Sequence, residues 1–217
     1  MEAELRGRWN DLTPFMAEEA RERWWARIYG AYAARSFRDV AHLNLMFQQY
    51  DKHKDLIKER YGFAFAVFFM NVAYDPRNEQ CWKESVEMVK EFGNSTTFDQ
   101  QGYVVDIITS SASSSGDGTT DLSTPGGDDV HYLIDFDSAY LASAPEDYDR
   151  YVAGIRAESM MFDDEEFLAL RKKLLTMFMR LPYIYMTQPM RDTCEEKARD
   201  NITREIEVLN TGKLIVK

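Results

Sequence analysis

Apolar residues recur at helical spacing along most of this chain. Trp24, Trp25, Ile28, Tyr29 and Tyr32 follow Thr13-Pro14, a hydroxyl cap before a proline at the first helical position, and predict a helix over 14–34. Val40, Leu43, Met46, Phe47 and Tyr50 repeat with a period of about 3.6, which predicts a second helix with His42 at the edge of the apolar stripe. The run from Phe63 to Tyr74 is nearly all apolar, so periodicity alone fits a buried strand or a buried helix. Its length, its alanines and its helical neighbours favour a helix ended by Asp75-Pro76. Val86, Val89 and Phe92, then Val104, Val105, Ile107 and Ile108, predict two more helices, with Gly93 in the left-handed position after the first of them.

Between residues 110 and 129 the pattern lapses into Ser, Gly, Asp and Thr with almost no apolar anchor. Ordering such a stretch has little to offset its entropy, so a flexible surface insertion is expected there. Three helices follow, opening near Pro145, Asp163 and Pro189, and the last closes with Ile202, Ile206 and Leu209 before Gly212. The expectation is an all-α fold: a single helical domain over 1–211, carrying the 110–129 insertion, with a tail over 212–217. A length of 217 residues suits one domain, since domains commonly span about 50–250 residues.

Composition narrows the function classes. Thirteen Phe, twelve Tyr and four Trp supply a core without a structural metal. A net charge of −11, with no basic run interleaved with aromatics, argues against direct nucleic-acid binding. Cys81 and Cys194 stand far apart, outside any metal or redox spacing, and suit free thiols in a reducing compartment. The most apolar run, 63–73, is shorter than the ~20 residues that span a bilayer, and the first residues lack a signal-peptide pattern. A cytoplasmic protein with no membrane segment is expected.

Several blocks then stand in a recognisable order. They are Arg35 and His42; Phe69, Tyr74, Asp75 and Pro76; Ile134-Asp135-Phe136-Asp137 with Leu141; Tyr148, Tyr151, Ile155-Arg156 and Glu158; Ile184-Tyr185-Met186-Thr187; and Ala198-Arg199, Asn201 and Glu205. In this order the chain, from about Leu5 to Leu209, resembles the predicted HD-superfamily metal-dependent phosphohydrolases. The resemblance implies an HD-domain-like helical bundle. In such proteins, histidines and aspartates from several helices hold one or two divalent ions that activate a water toward phosphorus.

The departures fall on the chemistry. The family's first ligand histidine corresponds to Arg38 and its neighbour to Asp39, while the His-Asp pair corresponds to Met70 and Asn71. The later aspartate corresponds to Asp137 or to Asp135; their two-residue spacing keeps them off one helix face. One carboxylate does not hold a catalytic divalent ion, so the resemblance implies a degenerate site with no catalytic residue and no resident metal or other cofactor. A guanidinium is permanently charged and shaped for a carboxylate, so Arg38 is expected to pair with Asp137 in the place of the lost ion.

The expected function is therefore that of a non-catalytic HD-like protein. It would act as a structural or protein-interaction module within a larger assembly, or bind a phosphorylated small molecule through Arg38, His42 and Arg156. The alternative is an active phosphohydrolase with its metal on Asp39, His42, Asn71, Asp135 or Asp137. Arg156, Glu158, Arg199 and Glu205 are expected to brace helices by ion pairing. His53 and His131 carry no signal in their polar surroundings, and Asp163 to Glu166 read as an acidic helix start. Met160, Met161, Met177, Met179 and Met186 are expected mainly to fill the core, with a partner surface as their other use.

Overall fold

The computed structural model describes residues 1–116 and 126–215, and all regular structure within them is helical. Ten α-helices run in chain order: α1 (Glu2–Leu12), α2 (Glu18–Ala33), α3 (Val40–His53), α4 (Arg60–Phe69), α5 (Trp82–Asn94), α6 (Gln101–Gly116), α7 (Asp129–Asp137), α8 (Pro145–Glu158), α9 (Asp164–Arg180) and α10 (Gln188–Asn210). Short 3-10 turns lie at Lys54–Leu56 and Ala139–Ala142. No described helix is long and apolar enough to cross a membrane.

The core is built around α4. Every residue from Gly62 to Phe69 is buried, the signature of a helix that is apolar all round and covered on every side. Neighbouring α3, α5, α6 and α7 supply the cover. Trp9, Trp24 and Phe92 from three other helices meet Phe65, Phe68 and Phe69 with ring centroids 5.4–6.3 Å apart, edge to face or tilted.

Several expectations need correction. The helix expected over 14–34 begins at Glu18, because the Thr13 hydroxyl donates to the Trp9 carbonyl and closes α1 instead. α1 itself is not anticipated by the sequence pattern; it is held by Leu5 and Trp9, one turn apart and both fully buried. α4 stops at Phe69 rather than running to Tyr74, and Met70 caps it. Gly93 lies inside α5 without a positive φ. Its small size has a different use, since a Cβ there would fall 1.9 Å from the Gln101 carboxamide oxygen.

The flexible stretch expected from residue 110 does not begin there. Residues 110–116 continue α6, while 117–125 lie outside the described residues. At the far side, Gly126 donates its N–H to the Met186 carbonyl. Asp129 is buried and accepts from the Lys58 and Glu59 N–H groups and the Tyr103 hydroxyl, so this end of the stretch is tied to the start of α4. His53 is buried, with Nδ1 against the Gln49 carbonyl and its ring 5.7 Å from Phe136, and His131 completes a capping box with Asp128. Met186 is buried and Met179 packs against the core, but Met160, Met161 and Met177 are exposed.

Candidate functional site

Two stretches of chain, residues 35–42 and the turn after α4, converge on the end of α7. The connector from α2 to α3 carries Arg35, Phe37, Arg38 and Asp39; α3 carries His42; the turn after α4 carries Asn71. Asp39 is the N-cap of α3, its carboxylate accepting from the His42 N–H, which fixes the first turn of that helix. Arg38, just before it, has φ +50°, the only positive φ at a non-glycine residue among those described. Left-handed backbone costs an L-residue about 1–2 kcal/mol, so surrounding contacts must hold it there.

The principal contact is Asp137. Its Oδ2 accepts from the Arg38 guanidinium at 2.5 Å, and its Oδ1 accepts from His42 Nε2 at 2.9 Å and Asn71 Nδ2 at 2.7 Å. The Arg38–Asp137 pairing anticipated from the sequence is thus present. Burial alone would raise the Asp137 carboxyl, but the Arg38 charge and the His42 and Asn71 donors outweigh it and hold the group well below the usual carboxylate range.

Aromatic rings wall the cluster. The Arg38 guanidinium lies 5.0 Å from the Tyr74 ring, and the fully buried His42 ring lies 5.9–6.1 Å from Phe37, Tyr140 and Tyr151. His42, expected at the edge of its stripe, faces inward because Asp137 gives its Nε2–H a partner; its Nδ1 is buried and unpaired among the described residues.

Asp135 takes no part in this cluster. It is fully buried on another face of α7, where it accepts from the Met186 and Thr187 N–H groups and the Thr187 hydroxyl at 2.6–2.8 Å. That arrangement places a carboxylate at the start of α10, where the helix dipole favours it. Burial pushes the Asp135 carboxyl up to about 6, against the lowering influence of those donors and Arg191. Met70 caps α4 and packs against the core, and none of the cluster's hydrogen bonds among the described residues involves it.

Arg156 stands apart from the cluster, donating to the Ser159 carbonyl and to Asp164 and lying 5.0 Å from the Phe167 ring. The other expected braces find different partners from one another. Glu158 accepts the Ser36 N–H, and Arg199 pairs with Glu195 while donating to carbonyls at the end of α9. Glu205, 1% exposed at its side chain, receives both Arg171 Nε and Nη2, at 2.8 and 3.0 Å, and the Tyr148 hydroxyl at 2.5 Å. Sequence reading missed Arg171, which sits in the charged run Arg171-Lys172-Lys173; its place one turn after buried Phe167 and one before Leu175 was the available signal.

A cleft of about 360 Å³ adjoins the cluster, with Tyr74, Asp75, Arg77, Glu158, Met160 and Met161 in its wall. Behind Tyr74 sits Arg35, its guanidinium 4.8 Å from the Tyr32 ring and 5.9 Å from Tyr74, with all three nitrogens buried and unpaired among the described residues.

A divalent ion of the kind the sequence resemblance implies does not fit these residues. Both Asp137 oxygens already accept strong donors, and the nearest neighbour is a guanidinium that repels a cation. Of the two residues that the resemblance sets against a His-Asp pair, Met70 offers only a soft thioether and Asn71 turns its Nδ2 donor toward Asp137.

Comparison with protein-family models, with curated proteins and with solved structures finds no match to this chain.

Proposed function

We propose that this chain is a non-catalytic, HD-like helical protein in which the Arg38 guanidinium takes the place of the metal ion, and that it works through contacts with other proteins. The observation that carries this reading is the saturation of Asp137 by Arg38, His42 and Asn71. A carboxylate so engaged neither binds a metal nor serves as a general base, because its protonation is strongly disfavoured. The role in protein contacts draws on a second feature: the large apolar side chains exposed at Met160, Met161, Leu170, Leu174 and Met177.

Elemental analysis of the purified protein, joined to hydrolysis assays on nucleotides and phosphodiesters with Mn, Mg, Co and Fe, tests the first half. We expect no stoichiometric metal and no metal-dependent turnover. A divalent ion bound near one per chain, with turnover that follows it, overturns the reading.

Capture of a phosphorylated ligand is the second reading, and Arg35 is what favours it, as a buried guanidinium lacking a carboxylate partner. It is the weaker one. Glu158 stands in the wall of the adjoining cleft and opposes an entering anion, while Arg77, Arg38 and Arg156 are already engaged by Asp75, Asp137 and Asp164. A phosphate titration followed by calorimetry, repeated on Arg35→Gln, decides it: saturable heat that Arg35→Gln abolishes would establish the anion site.

A further inference from the structure

The exposed large apolar side chains are unevenly placed. Among the described residues there are nine, and six fall between 160 and 183: Met160, Met161, Leu170, Leu174, Met177 and Tyr183. Three of these follow one another on α9 with the spacing i, i+4, i+7. The helix turns Phe167, Arg171 and Leu175 inward, and Leu170, Leu174 and Met177 form a half-exposed apolar stripe on the flank that adjoins this buried face. Helical geometry sets Glu166, Lys173 and Arg180 along the solvent edge of that stripe, one every two turns.

Charge along α9 is ordered. Its start is acidic (Asp163, Asp164, Glu165, Glu166) and its second half basic (Lys172, Lys173, Arg180). Lys172, Lys173 and Arg180 make no ion pair with any described residue, although the chain carries a net charge of −11. Such a helix complements itself when reversed. Laid antiparallel across a twofold axis near residue 172, Leu170 of one copy meets Leu174 of the other, twice, and each acidic start lies beside the opposite basic end. An anionic membrane surface fits less well, since four carboxylates at the start of the same helix would face it.

We propose that α9 is the surface through which two copies of this chain associate, antiparallel and isologous, with the Leu170–Leu174–Met177 stripe at the centre and the Glu166 and Lys173–Arg180 charges at the edge. This gives a partner to the contact role proposed above. The metal and hydrolysis assays do not bear on it, so either idea can fail alone.

Sedimentation of the full chain across concentrations tests the proposal. A concentration-dependent monomer–dimer equilibrium is expected, weakened by salt because the edge charges are exposed. Leu174→Asp, and separately Met177→Asp at the more exposed position, should each leave a folded monomer with the parent's circular dichroism, since these side chains are already 39% and 54% exposed. Lys173→Glu with Arg180→Glu, and separately Glu166→Lys, should each self-associate more weakly than the parent, and their mixture should recover dimers of one chain of each kind. A parent that stays monomeric at the highest concentration reached, a dimer indifferent to Leu174→Asp, or a charge-reversed pair with no recovery on mixing would each overturn the proposal. So would binding to anionic vesicles without self-association.

Discussion

Arg38→Ala removes the cation from the Asp137 cluster while leaving the backbone at residue 38 in its left-handed conformation. Truncating one member of a fully buried ion pair costs about 3–5 kcal/mol. Here the Arg38 and Asp137 side chains are 29% and 14% exposed, and His42 and Asn71 still donate to the carboxylate. The loss should therefore fall at or just below that range, about 2–3 kcal/mol. For a chain of this length each kcal/mol moves the melting midpoint by about 2–4 °C, which makes the expected fall about 4–12 °C. Arg38→Gly loses the same pair but relieves the positive φ, worth about 1–2 kcal/mol, against about 0.5–1 kcal/mol of added chain entropy. It should be more stable than Arg38→Ala by up to about 1.5 kcal/mol. Urea denaturation of both variants, with Asp137→Asn and the Arg38→Ala/Asp137→Asn double variant, supplies a thermodynamic cycle. A coupling of at least about 1.5 kcal/mol is expected for charged groups in contact. If Arg38→Ala lies within about 0.5 kcal/mol of the parent, or the coupling vanishes, the guanidinium is not holding the cluster and the reasoning fails.

Further predictions concern acid, the second buried pair and one close approach. Asp137 is held below its unfolded range near 3.9, so its contribution is present above about pH 4 and lost as pH falls; Asp137→Asn should flatten that acid limb in urea melts, and an unchanged slope would contradict the assignment. Asp135 runs oppositely: with the folded group at about 6, its contribution is complete below about pH 4 and lost as pH rises through 6, a fall that Asp135→Asn should remove from the same series. Glu205→Gln should cost about 3 kcal/mol or more, and Arg171→Met/Glu205→Leu less than Glu205→Gln alone, because the double change leaves no buried charge; the reverse order in thermal melts would exclude this account. Gly154→Ala would set a Cβ 2.0 Å from the Ser36 carbonyl oxygen, just before Phe37 and Arg38, and should cost about 1–3 kcal/mol; a stability equal to the parent's would show that the connector yields freely.

How much of this was legible in the sequence differs from element to element. The helices α2, α3, α5, α6 and α8–α10 announce themselves through apolar repeats and through the Pro145, Asp163 and Pro189 start signals, because capping and periodicity are local. α1 escapes because only Leu5 and Trp9 mark it within a charged stretch, and packing rather than pattern makes it a helix. The Arg38–Asp137 contact was reached by resemblance together with charge logic. No local rule brings residues 38 and 137 together. Spacing separates Asp135 from Asp137, but the task of Asp135 at the start of α10 depends on a neighbour 51 residues away. Asn71 is a donor in the cluster only because α4 stops two residues before it, a boundary blurred by the apolar run.

The Arg171–Glu205 pair has a consequence for how α9 meets its surroundings. Because this clasp ties the helix to α10 from the inside, the half-exposed flank stripe is presented on a stiff, already folded template. A partner docking there has no ordering of the helix to offset. Encounter should then proceed in one step, at a rate set by diffusion and by the field of the edge charges rather than by a conformational transition.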